Sequence, residues 1–319
     1  MDSFLFKNNK FIDNNNDIVS CAGDNIIFEN NSFTSTVYMW GRTTNYKFLN
    51  NSFSNISMNI NYEYSTDTEC SGNTYNNCRI AITSKNKDAK FNINNENIID
   101  THVNTMPENV SIIDSKITAN NIDNIRIYGN FKDCHISKVT GSLVSFKGEN
   151  CKINNSNIYI QEEVNFKESN IEDTNIASFT TTEKITLDNN QLKNTKISLS
   201  TWGCPTEVLL KNNTISIDKD SLLHLSAGVT KEVILDNNTI ENNSNKSLIN
   251  LFDTSYTKAK GKLILKNNTI NQGNSDYIFD GVKIESGEFD FIYNNNHING
   301  AKLINPIYKQ MKCFNVQEK

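Results

Sequence analysis

The sequence predicts an all-β chain wound as a parallel β-helix, a solenoid of roughly 13–14 coils with about 22 residues in each. Three observations predict it. The phrase VLLKNNTI at 208–215 returns as VILDNNTI at 233–240 and LILKNNTI at 263–270. Apolar residues ahead of the Asn pairs alternate, as in Phe289-Asp290-Phe291-Ile292, which is the period of a strand and not of a helix. The apolar residue after each Asn pair, or after its substitute, recurs along the whole chain. These anchors are Phe11, Phe33, Phe53, Tyr75, Ile98, Ile117, Ile136, Ile153, Ile171, Leu192, Ile215, Ile240, Ile270 and Ile298, with spacings of 17 to 30 residues. A period of this size marks a solenoid, in which a unit buries its apolar face only against its neighbours.

Each coil reads as three strands. The first is an apolar run about ten residues ahead of the Asn pair, as in KISLSTW (196–202), SLLHLSAG (221–228), SLINLFD (247–253) and YIFDGV (277–282). The second runs into the Asn pair, and the short third carries the anchor. Between the second and third strands the chain must turn sharply, and Asn tolerates positive φ better than any residue but Gly. Stacked amides also bond to one another from coil to coil. Asn212, Asn213, Asn237, Asn238, Asn267 and Asn268 are therefore expected to form a structural ladder, although the Thr after each pair makes them resemble glycosylation sequons. The ladder is expected to weaken at SGNTY, IDSKI, KDCHI, GENCKI and KESNI, where coils shorten to 17–19 residues in the middle of the chain. The whole of 1–319 reads as one domain, with regular coils from about 4 to 300 and the last coil and C-terminal end at 301–319.

Composition narrows the function. Net charge is −5, and the only arginines are Arg42, Arg79 and Arg126, with no clustered basic stretch of the kind that tracks a phosphate backbone. No nucleic-acid partner is expected. The N-terminus shows no basic segment followed by an apolar core, so no signal peptide is read there, and no apolar run is long enough to span a membrane. The seven cysteines contain no CxxC, which argues against a metal site and a complete disulfide framework. The cysteines read as buried free thiols, since free Cys packs as a small hydrophobe, although Cys70 and Cys78 flank a turn and could bridge. Cys134 and Cys151 hold the same position two residues before their anchors, and are expected as a stacked thiol pair. No cofactor motif is present.

The repeated apolar-x-apolar-x-Asn-Asn-x-Ile phrase resembles the right-handed parallel β-helix proteins of the pectate-lyase-like superfamily, and within them the tail-spike-like proteins of bacteriophages and prophages. The resemblance covers nearly the whole chain. It implies a homotrimer in a virion or outside the cell, contacts with other tail proteins, and binding or cleavage of bacterial surface polysaccharide. Receptor binding is the expected function, and a glycan depolymerase is the alternative. The pectinase motifs of the superfamily are absent: there is no Asp-Asp pair, no Gly-His-Gly and no Arg-x-Lys.

Glycoside cleavage needs two carboxylates at a suitable separation. Glu162, Glu163 and Asp218 are the catalytic candidates, with Asp67, Glu69 and Asp220 behind them. Alternation turns every second strand residue outward, which gives a first-strand row of Tyr38, Trp40, Tyr62, Arg126, Tyr128, Tyr159, Trp202 and His224. Sugars stack on aromatic rings and bond to Arg and His, so Trp40, Tyr62, Arg126, Tyr128, Tyr159, Trp202 and His224 are the carbohydrate-binding candidates. An oligomer interface, or plain β propensity, would place aromatics there as well. His102, His135 and His297 read as surface substitutions.

Overall fold

The structure is a computed structural model that describes residues 3–12, 18–19, 23–39, 45–62, 67–84, 90–106, 110–121, 124–199, 206–226, 232–253, 259–282 and 287–318. The fold is a parallel β-solenoid of about 12 turns with about 22 residues per turn. The chain forms two compact units, Met1–Lys152 and Ile153–Lys319. Both are built from the coil read in the sequence. In the first unit the second strands Asn25–Glu29, Asn45–Leu49 and Asp67–Ser71 pair in parallel, residue for residue.

The anchors set this register. Phe11 lies opposite Phe33, Phe33 opposite Phe53, Phe53 opposite Tyr75, Tyr75 opposite Ile98, Ile98 opposite Ile117 and Ile117 opposite Ile136. In the second unit the same column runs Ile171, Leu192, Ile215, Ile240, Ile270, Ile298. A slip by one residue would turn every anchor outward, so burial of the column fixes the pairing. Its fillings differ between the units. In the first, Phe11, Phe33, Phe53 and Tyr75 stack with ring centroids 4.6–4.9 Å apart, and Phe28 and Phe48 make a second stack at 5.1 Å. In the second, aliphatic side chains fill the column. Rings gather again towards the C-terminal end, where Tyr308 lies edge-on to Phe279 at 5.0 Å and gives its hydroxyl proton to the Val282 carbonyl at 3.0 Å.

The two asparagines of each pair do different work. The first takes the left-handed conformation, with φ of 57° at Asn212, 54° at Asn237 and 58° at Asn267. The second is buried and forms the rung. Asn213 donates from its backbone N–H and its Nδ2 to Oδ1 of Asn238, at 2.9 and 3.0 Å, and Nδ2 also donates to the Leu187 carbonyl at 2.9 Å. Asn190, Asn238 and Asn268 repeat the pattern. An outer ladder runs beside it, from Asn237 Nδ2 to Asn212 Oδ1 at 2.8 Å and from Asn295 Nδ2 to Asn267 Oδ1 at 3.0 Å.

One sequence expectation needs correction. The ladder does not weaken at SGNTY: Gly72 supplies the positive φ, and Asn73 forms a full rung with Asn51. The interruption begins one coil later, where Glu96 occupies the rung position, followed by Ser115, Cys134 and Cys151. Cys70 and Cys78 form no bridge; both are free, buried thiols. Cys134 and Cys151 form no disulfide and are buried as well, each thiol lying 3.2–3.5 Å from two backbone carbonyls. A hydrogen bond between the two thiols, and then burial, push Cys134 up and hold it protonated.

Candidate functional site

On the first-strand face of the first unit, Met58, Ile80, Val103 and Ile127 are buried, so the residues between them face outward. Register lines these up in two rows. One runs Tyr38, Asn59, Ala81, Asn104, Tyr128. The other runs Ser57, Arg79, His102, with Arg126 and Ser142 paired further along. His102 and Arg126 are joined directly, because the Arg126 backbone N–H donates to His102 Nδ1 at 3.1 Å. Adjacent strands lie about 4.8 Å apart, which separates Arg79 from Arg126 by roughly 10 Å along the row.

The bond to Nδ1 leaves the imidazole proton of His102 on Nε2. Partial burial, then the charges of Arg79 and Arg126, hold its pKa below the usual histidine value. The row therefore presents guanidinium, neutral imidazole, guanidinium. Arginine forks pair with carboxylate, sulfate or phosphate through two parallel bonds. Asn59 and Asn104 add amides that donate and accept, and Tyr128 adds a half-buried ring. At the end of this face Gly129 has φ of 124°, and a Cβ there would sit 1.9 Å from Thr105 Oγ1. This glycine lets the strand Ile125–Lys132 bend there, so that the one strand supplies both Arg126 to the first-strand face and Phe131 to the second-strand sheet.

The first-strand face of the second unit is built differently. Tyr159, Ala177, Ser198, His224, Asn250 and Asp280 form its row. Phe179 is 43% exposed and lies edge-on to Tyr159 with centroids 6.2 Å apart. His224 Nε2 is 3.1 Å from Asp220 Oδ1, and Asp220 Oδ2 accepts from Lys196 at 3.0 Å. Burial, then Lys196, lower the His224 pKa; burial works to raise Asp220, but bonds from Lys196 and the Ser221 N–H hold it below its usual value. Ser198 sits opposite His224 but gives its proton to Asn175 Oδ1 at 3.0 Å, and Asn175 Nδ2 in turn donates to Asn157 Oδ1 at 2.7 Å. The serine is thus part of a polar relay and is not poised as a nucleophile on the imidazole.

Tyr128 and Arg126 fall on neighbouring rows of one face, and Tyr159 and His224 share a row in the other unit. Of the carboxylates selected for cleavage, Asp218 lies at a different corner of the coil from Glu162 and Glu163. Glu162 and Glu163 are exposed where the strand Asn157–Lys167 bends, Glu162 with φ of 60° and Glu163 opposite Lys184. Asp218 is exposed just past the third strand Thr214–Ile217, at another corner of the coil, and accepts from Asn243 at 3.2 Å. Glu69 is bound to Lys47 at 2.6 Å. Trp40 and Trp202 lie outside the described residues. Tyr62 ends the strand Ser57–Tyr62 opposite Ser84, and its side chain lies outside the described part. Among the described residues no group of three or more His, Cys, Asp or Glu is placed to hold a metal ion. Arg79 and His102 were not among the sequence candidates.

No protein-family model matches the chain, and no curated protein matches it. Among solved structures it is similar to the A-module of the mannuronan C-5 epimerase AlgE6 of Azotobacter vinelandii, at 11% identity and a TM-score of 0.44, over 99% of this chain and 89% of that one. It is also similar to the A-module of the mannuronan C-5 epimerase AlgE4 of the same organism, at 13% identity and a TM-score of 0.32, over 99% of this chain and 91% of that one. At these values neither likeness bears on what the chain does, and the fold rests on its own strand register.

Proposed function

We propose that this protein is a glycan-binding rod, a receptor-binding component of the phage or prophage tail-spike type, which holds an acidic bacterial surface polysaccharide along its first-strand face. The observation that carries the reading is the row of Arg79, His102 and Arg126, with Asn59, Asn104 and Tyr128 one step along the same strands. Guanidinium groups two coils apart match acidic groups spaced about 10 Å apart on an extended chain. The amides and the ring suit the hydroxyls and apolar faces of the sugars between them. In this reading the site binds and does not cleave, the protein acts in the virion or outside the cell, and it assembles as a homotrimer with other tail proteins.

Titration of purified acidic capsular or cell-wall polysaccharides into the protein tests the proposal. Binding is expected to weaken as salt rises, and to fall about tenfold or more in Arg79→Ala and in Arg126→Ala, since a charge-assisted bond contributes about 1.5–3 kcal/mol. Unchanged affinity in both variants would overturn the site. Release of reducing ends from the bound polysaccharide would overturn the pure-binding reading, and a monomer by light scattering would count against the tail-spike assembly.

A further inference from the structure

The rung at Glu96 is the one place in the described ladder where an ionisable carboxyl replaces an amide. Glu96 is 2% exposed. Its Oε1 accepts from Asn73 Nδ2 at 3.1 Å, as an asparagine Oδ1 does in the other rungs, and its backbone N–H donates to Ser115 Oγ at 3.0 Å. Oε2 takes the place of the amide nitrogen, yet it is enclosed and has no partner. A carboxylate would have no hydration and no donor at that oxygen, and an unpaired buried charge is far more costly than an unpaired neutral group.

The surroundings favour the neutral acid. From the strand Asp67–Ser71 come the buried Cys70 thiol and the Glu69 charge, and from Thr74–Asn76 comes the Tyr75 hydroxyl. Cys78 lies beyond them. Burial, and then the negative charge that Glu96 would carry, push both Cys70 and Tyr75 up, so both stay protonated and neutral. Burial likewise raises Glu96 to about 8, against hydrogen bonds from Asn73 and the Tyr75 hydroxyl that work to lower it. Outside the rung lies a groove of about 450 Å³, lined with Asp114, Lys116, Asp133 and His135. Its cationic side is Lys116, and His135 presents an enclosed Nε2 that also lacks a partner.

We propose that Glu96 is a proton-dependent joint in the first unit. As a neutral acid it serves as a rung; once ionised, it leaves the rung for the groove, towards Lys116 and His135, and unpins the turn at 95–97. The device does not depend on glycan binding and holds whatever the rod binds.

Amide exchange on the whole protein tests it, with two matched sites. The Asn97 N–H donates to the Asn73 carbonyl at 2.8 Å beside the joint, and the Thr214 N–H donates to Asn190 at 2.9 Å at the same position of the amide ladder. Corrected for intrinsic rates, protection of Asn97 relative to Thr214 is expected to fall at least about tenfold between pH 6 and pH 9, one unit beyond the titration of the group. A ratio that stays flat overturns the joint. In Glu96→Gln, which keeps an amide in the rung and cannot ionise, the ratio is expected to lose its pH dependence. A variant that keeps the wild-type fall would assign the effect to another group and overturn the proposal.

Discussion

The ladders of the two units follow one rule with different fidelity. In the second unit Ser169 holds one rung, and from there Asn190, Asn213, Asn238, Asn268 and Asn296 form an unbroken series, each rung giving its N–H and Nδ2 to the next Oδ1. In the first unit the series Asn31, Asn51, Asn73 runs into Glu96 and then into Ser115, Cys134 and Cys151. The short side chains close their own turns: Ser115 Oγ accepts the Glu96 N–H and donates back to the Ile113 carbonyl at 2.8 Å. An amide rung ties two coils together three times, and a hydroxyl or thiol ties them less. The first unit stacks aromatic rings in its anchor column before the interruption, where the anchor column of the second unit is aliphatic. Buried area and buried amides thus share the stabilisation of the same coil in different proportions.

The sharpest break of this comparison is Asn238→Ala. It leaves the Asn213 N–H without its acceptor and takes one bond each from Asn213 Nδ2, the Leu210 carbonyl and Asn268 Oδ1 in a buried turn. At about 1–3 kcal/mol for each orphaned group, with partial relaxation, a loss of roughly 3–6 kcal/mol is expected by denaturant unfolding. Next comes Glu96→Gln, whose effect depends on pH. A carboxyl raised from 4.5 unfolded to about 8 folded contributes stability that is fully present below pH 4.5 and is lost as pH rises through about 8. The glutamine variant should therefore match the wild type near pH 4.5 and exceed it by roughly 2–5 kcal/mol at pH 9. Ser115→Ala removes one acceptor and one donor, and should cost about 1–2 kcal/mol. If Ser115→Ala proved as damaging as Asn238→Ala, the difference between the two ladders would lie elsewhere than in the rungs.

Much of this was legible because the solenoid repeats its instructions. Ile240 opposite Ile270, and Phe33 opposite Phe53, follow from spacing alone, since burial allows no other parity. The second corner of the coil was missed. Asn55, Asn77, Asp100, Asn155, Asp173 and Asn194 all take positive φ there, but no conspicuous Asn pair marks the turn. The Arg79–His102–Arg126 row was half visible. Arg79 and His102 each stand four residues past an anchor, whereas Arg126 stands nine past Ile117, because five extra residues precede it. The insertion hides the alignment that the strand register restores. Glu96 was not singled out, since nothing local distinguishes a buried carboxyl from a solvated one; its burial comes from Asn73 below and Ser115 above.

The smallest expected effect on stability tests whether the rod and its outer face are separable. Arg79 is exposed, pairs through its backbone with Ser57 and His102, and contributes no rung and no anchor. Arg79→Ala should change unfolding stability by no more than about 0.5 kcal/mol, as surface substitutions generally do. It should also let the His102 pKa rise, because one of the two cations that hold it down is gone. The sign is fixed: a histidine relieved of a neighbouring positive charge protonates at higher pH. Titration of the His102 ring by NMR therefore reads the row directly, with no glycan present. A His102 pKa unmoved by Arg79→Ala would mean that the guanidinium does not lie along the imidazole, and the spacing that suits an acidic chain would be lost with it.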